Sequence, residues 1–93
     1  MSFGNFLNIL RIERKISQRE LAEKIGVNYT YISHIERGKL NPPSEDAISK
    51  MAEVLNIDKD VLLAQAGKLS TDITEFLIDN PDRIKKIRRQ MKR

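Results

Sequence analysis

The sequence predicts an all-α fold, and three observations predict it. Apolar residues recur at three- and four-residue spacing, and no segment sustains a two-residue alternation. Short polar residues of the N-cap type stand just before the apolar stripes, at Ser17, Asn28, Ser44 and Asp58. Gly26, Gly38 and Gly67 stand just after them, where a helix gives way to a left-handed turn.

The elements follow in order. The first helix covers roughly Phe3 to Arg14, with Phe3, Leu7 and Leu10 on one face, and Phe6 and Ile9 widen that face beyond what one neighbour covers. Ser17 followed three residues later by Glu20 is a capping box, so a second helix starts after Ser17. It runs through Leu21, Ala22 and Ile25 to Gly26. Asn28 caps a third helix, Tyr29 to about Arg37, with Ile32 and Ile35 inward. Lys39 to Pro43 is a loop punctuated by Asn41-Pro42-Pro43. Ser44 caps a fourth helix striped by Ala47, Ile48, Met51, Ala52 and Leu55. Asp58 caps a short fifth with Val61, Leu62 and Leu63. A sixth starts near Ser70 with Ile73, Phe76 and Leu77. Asn80 caps and Pro81 opens a seventh, with Ile84, Ile87 and Met91 on one side and basic residues on the others.

Composition bounds the function. Ninety-three residues suit one small domain. There is no cysteine and one histidine, His34, which excludes a disulfide scaffold and disfavours a zinc site. No Gly-rich phosphate loop, metal-ligand cluster or nucleophile–base pair is present, so neither an enzyme nor a cofactor is expected. No apolar run is long enough to cross a membrane, and the first fifteen residues do not read as a secretory signal, so a cytoplasmic chain is expected. The net charge of +4 is unevenly placed. The last thirteen residues hold seven bases and one acid, while the first eighty carry a net −2. A polyanion partner for the main body therefore has to be argued from pattern and not from pI.

The pattern lies in the second and third helices. The tight turn Gly26-Val27-Asn28 sets two short helices at a steep angle and leaves the second projecting. Its outward side would carry Tyr29, Thr30, Ser33 and His34, which are hydroxyl, phenol and imidazole groups. An exposed helix usually carries Glu and Lys. Uncharged donors and acceptors suit the base edges of a DNA major groove; the alternative is an ordinary solvated surface.

The run Leu10-Arg11, Ser17-Gln18-x-x-Leu21-Ala22, Gly26-Val27, Ile32-Ser33-x-Ile35-Glu36-Arg37-Gly38 and Pro42 resembles the lambda-repressor-like, or XRE-type, helix-turn-helix family over about residues 3–66. The resemblance implies a five-helix DNA-binding domain over residues 1–67, followed by a helical basic extension of about two helices over 68–93. It implies base contacts from Tyr29, Thr30, Ser33 and His34. It implies backbone contacts from Gln18, Asn28, Arg37, Lys39 and Asn41, with Tyr31 packed sideways or set against a phosphate. Gln18 would also buttress the third helix, and Arg11 and Glu36 would form a structural ion pair. The implied function is a sequence-specific transcriptional regulator, a repressor, bound as a homodimer to a palindromic operator in double-stranded DNA. The alternative is an antitoxin or adaptor whose residues 68–93 bind a partner protein. The apolar stripe of that extension predicts that it docks on Phe6 and Ile9, in its own chain or in a dimer partner.

Overall fold

A computed structural model describes residues 2–92; Met1 and Arg93, the outer ends of the two predicted segments, lie outside the described residues. Among the described residues there are helices and no strands: α1 Phe3–Glu13, α2 Gln18–Ile25, α3 Tyr29–Glu36, α4 Glu45–Leu55, α5 Lys59–Gln65, α6 Thr71–Asp79 and α7 Pro81–Met91.

The helix starts follow the expected chemistry. The Ser17 hydroxyl accepts from the Glu20 N–H at 3.0 Å, and the Glu20 carboxylate accepts from the Ser17 N–H at 3.1 Å, which completes the capping box. Asn28, Ser44 and Asp58 cap α3, α4 and α5 through their side chains. The helix ends share one device. Lys15, Gly26, Gly38, Asn56 and Gly67 all take positive φ after α1 to α5. The next residue then donates its N–H back five positions, as Val27 does to Ala22 at 2.9 Å and Lys39 to His34 at 2.8 Å. Lys15, an L-residue with a Cβ, and Asn56 do this without the freedom of glycine, so composition does not announce either stop.

The hydrophobic core cluster among the described residues is built from α1 to α5. Leu7, Leu21, Ile32, Ile48, Met51, Leu55, Leu62 and Leu63 are fully covered. α2 packs on α3 and α4, α1 on α3, and α4 on α5. Arg14 donates to the Leu55 carbonyl at 2.7 Å, so the end of α1 also ties down the end of α4.

The 68–93 segment differs from expectation in two respects. It does not dock on α1 of its own chain. α6 and α7 pack on each other, Ile9 stays exposed, and Phe6 is partly covered by the chain's own core. The link to the rest is polar: Lys68 donates to the Pro43 carbonyl at 3.0 Å, and the Thr71 N–H and hydroxyl donate to Glu45 at 3.1 and 2.9 Å. These bonds carry the segment away from α1 toward the start of α4. The long axis of 44 Å and the radius of gyration of 15.0 Å, against about 12 Å for a compact chain of this length, record the protrusion. The second difference is Asn80. Its side chain does not cap α7; the amide donates to the Phe76 carbonyl at 2.8 Å and closes α6 instead. Pro81 still opens α7, because the first turn does not need its missing N–H.

Gly4 sets the approach of α1 to α3. A Cβ there would lie 2.4 Å from the Ile35 carbonyl oxygen and 2.7 Å from that of Glu36. Both obstacles are backbone, so the helices must separate to admit it. Gly4→Ala is expected to destabilise the chain by about 1–3 kcal/mol, read as a lowered thermal midpoint. An unchanged midpoint would contradict the close approach.

Candidate nucleic-acid interface

α3 is an eight-residue helix with its sides divided among different tasks. Ile32 and Ile35 enter the core, and Tyr31 lies partly covered against it. Glu36 is 9% exposed and turns toward α1 and α2. Thr30, His34 and Arg37 follow at i, i+4 and i+7, and all three are exposed.

The Glu36 carboxylate is the hub. Arg11 grips it twice, Nε to Oε2 at 2.8 Å and Nη2 to Oε1 at 3.0 Å. The Asn8 amide donates to Oε1 at 2.8 Å and the Gln18 amide at 3.1 Å. Arg11 also donates Nη1 to the Ile16 carbonyl at 2.9 Å, which fastens the turn between α1 and α2. Burial by itself raises the Glu36 pKa. The hydrogen bonds from Arg11, Asn8 and Gln18, together with the charge of Arg11, outweigh burial and hold the carboxyl below its ordinary 4.5. Gln18 thus reaches the end of α3, in the buttressing position. Asn8 was not singled out by sequence reasoning. Its place three residues before Arg11, on the same face of α1, was the available signal.

At the other end of α3, the Asn28 side-chain Oδ1 accepts from the Thr30 N–H and from the Thr30 hydroxyl, both at 3.0 Å. The Thr30 hydroxyl proton is therefore engaged, while the lone pairs of its oxygen stay free to accept and the residue is exposed. Tyr29 is 38% exposed, because the Arg19 guanidinium lies 4.0 Å from its ring centroid. Arg19 is a second residue that sequence reasoning missed. It stands ten positions away, and only the α2–α3 turn brings the pair together.

Ser33 departs from its expected outward placement. It is 7% exposed, and its hydroxyl accepts from Arg37 Nη2 at 2.8 Å and Nε at 3.2 Å. The reason is angular: Ser33 stands three residues before Glu36, on the side of the helix that turns inward. Asn28, Lys39 and Asn41 are exposed around the two ends of α3.

A family profile described as helix-turn-helix matches residues 7–62. The chain belongs to the helix-turn-helix family. The lambda-repressor-like motif therefore lies within the matched stretch. Among its relatives, this helix-turn-helix chain is 44% identical over 66 residues to the HTH-type transcriptional repressor RghR of Bacillus subtilis (strain 168), covering 71% of this chain and 49% of RghR. The chain spans about half the length of the curated relatives it matches. The crystal structure of SinR, the master regulator for biofilm formation, in complex with DNA superposes with a TM-score of 0.61 at 38% identity, covering 66% of this chain and 97% of that one. The complex of the SinR and SinI proteins is similar over 96% of this chain and 94% of that one, with a TM-score of 0.61 at 27% identity.

The hub makes stability depend on pH in a defined direction. Because the folded pKa of Glu36 is depressed, its contribution is fully present above about 4.5 and is lost as pH falls through the lower folded value. Glu36→Gln leaves Arg11 buried without its counter-charge and is expected to cost about 3–5 kcal/mol at neutral pH. The variant should also lose less stability than the parent between neutral pH and acid. Denaturant melts of both across that range check this, and parallel pH profiles would contradict it.

Proposed function

We propose that this chain is a sequence-specific DNA-binding transcriptional regulator, a repressor, that lays α3 in the major groove. Residues 1–67 form a five-helix DNA-binding domain of lambda-repressor-like type, and residues 68–93 form a helical basic extension. Two copies bind a palindromic operator, with half-sites about one turn of DNA apart. The observation that carries this reading is the outward stripe of Thr30 and His34 on a helix whose other sides are committed to the core and to the Glu36 hub. Similarity to a named repressor and to a protein solved on DNA supports it.

The residues divide by chemistry. Thr30, with its proton held by Asn28, accepts from a base amino group and sets its methyl against thymine. His34 offers its imidazole one turn further on. Tyr29 presents its exposed edge and phenol to a thymine methyl or a sugar. Ser33 is covered and contributes by holding Arg37. The Gln18 side chain serves the hub, so a phosphate near α2 is met by the first-turn N–H groups of Gln18 and Arg19, which have no acceptor within the helix. Arg37, Lys39, Asn28 and Asn41 flank α3 and hold the backbone, and the Tyr31 hydroxyl completes that set.

Selection of bound duplexes from a random pool supplies the operator. Replacing Thr30 and His34 together with Ala is expected to cut the ratio of selected to random binding about tenfold or more, because each good base contact is worth about 1–3 kcal/mol. Arg37→Ala and Lys39→Ala are expected to weaken both duplexes alike and to lower the salt slope by about one per phosphate contact. An unchanged ratio in the Thr30/His34 double variant would overturn the assigned face.

A further inference from the structure

The stack of Arg19 on Tyr29 joins the start of α2 to the start of α3 and takes no part in the core. Arg19 is the second residue of α2 and is exposed. Its guanidinium carbon stands 4.0 Å from the ring centroid of Tyr29, the first residue of α3. Glu23 follows Arg19 by one turn on the same side of α2. Among the described residues the one salt bridge is Arg11–Glu36, so Arg19 is not tied to Glu23. The ring covers one side of the guanidinium and leaves its N–H donors for an acceptor outside the chain. Beside the stack lies an open hollow of about 320 Å³, lined by Arg19, Ala22, Glu23, Val27 and Tyr29.

Two features of a duplex match the fork of a guanidinium: a phosphate, and the O6/N7 edge of guanine. The hollow favours the second. Its single base is balanced by a single acid, Glu23, and a phosphate seated there would meet that carboxylate. A base edge carries no net charge and would not. The rest of the lining, Ala22, Val27 and the Tyr29 ring, suits the flat edge of a base and not a hydrated anion. The stack also limits how the fork can turn, so less freedom is lost when two parallel hydrogen bonds form.

We propose that Arg19 is a specificity-determining residue: its guanidinium reads a guanine at the base pair reached by the first turn of α3, with Tyr29 as its platform. The proposal rests on the DNA-binding reading and adds to it a reader from outside α3. The hydroxyls and imidazole of α3 are joined by one charged fork, and the preferred half-site gains a fixed G·C pair.

Selection from a random pool, run in parallel on the full-length parent and on Arg19→Met, tests this. The parent motif is expected to hold one guanine that the Arg19→Met motif lacks, with its other positions retained. On the selected duplex, changing that G·C pair to A·T should cost the parent about tenfold or more in affinity and cost Arg19→Met little. The salt slope should be the same for both proteins. Tyr29→Phe keeps the ring and should keep the preference. Tyr29→Ala should weaken it, and the Arg19→Met/Tyr29→Ala double variant should discriminate at that pair no worse than Arg19→Met alone. Arg19 lies outside the core, so the thermal midpoint of Arg19→Met should hold. A motif that keeps every position in Arg19→Met would overturn the assignment. So would an equal loss on both duplexes with a salt slope lower by about one, the mark of a phosphate contact. Failure here is separable from failure of the DNA-binding reading: a parent that enriches a motif indifferent to Arg19 removes this residue alone, whereas a parent that enriches no motif removes both.

Discussion

The four hydrogen bonds that converge on the Glu36 carboxylate set the pose of α3. Apolar packing alone leaves that pose loosely defined. α3 contributes only Ile32 and Ile35 to the buried apolar core, and a helix of eight residues has little stability of its own. Two aliphatic anchors on one side permit roll about the helix axis. A carboxylate held by donors from both α1 and α2 does not, because each bond restricts angle as well as distance. A buried ion pair is weak evidence of net stability, since desolvating both charges offsets much of their attraction. Its effect here is orientation: once Glu36 is turned inward, Thr30, His34 and Arg37 are turned outward by the pitch of the helix.

The other end of α3 is fixed by different means. Asn28 caps the first turn and holds the Thr30 hydroxyl, and Arg19 covers the Tyr29 ring. Gly4 lets α1 sit directly on the carbonyls of Ile35 and Glu36, which sets the spacing of α1 and α3 beside the hub. The outward side chains are thereby positioned from both ends before any ligand arrives, and less ordering remains to be done on binding. Arg37 is part of the same arrangement, since Ser33 accepts two of its N–H groups and aims the guanidinium along the helix end.

Much of this was legible in the sequence. The capping box at Ser17, the glycines after α2, α3 and α5, and the apolar stripes place the helices, because these signals are local. The Arg11–Glu36 approach follows from the family motif. What was not legible depends on angle or on contacts far apart in the chain. Ser33 and His34 are neighbours of similar polarity, and only the orientation imposed by Glu36 covers one and exposes the other. Lys15 and Asn56 stop their helices in a conformation that composition assigns to glycine. The extension reads as amphipathic from its sequence, yet amphipathicity says that a face wants a cover and not where the cover lies. The polar ties from Lys68 and Thr71 to the start of α4 send it away from Phe6 and Ile9.

The surface proposed to meet DNA is α3, held by the Glu36 hub. The most direct test is a two-dimensional amide NMR titration of the full chain with a duplex enriched from a random pool. The largest shifts are expected on residues 17–19 and 28–39, with little change in α4 and α5. Shifts concentrated on α4, α5 or the α6–α7 pair, with α3 silent, would contradict that assignment.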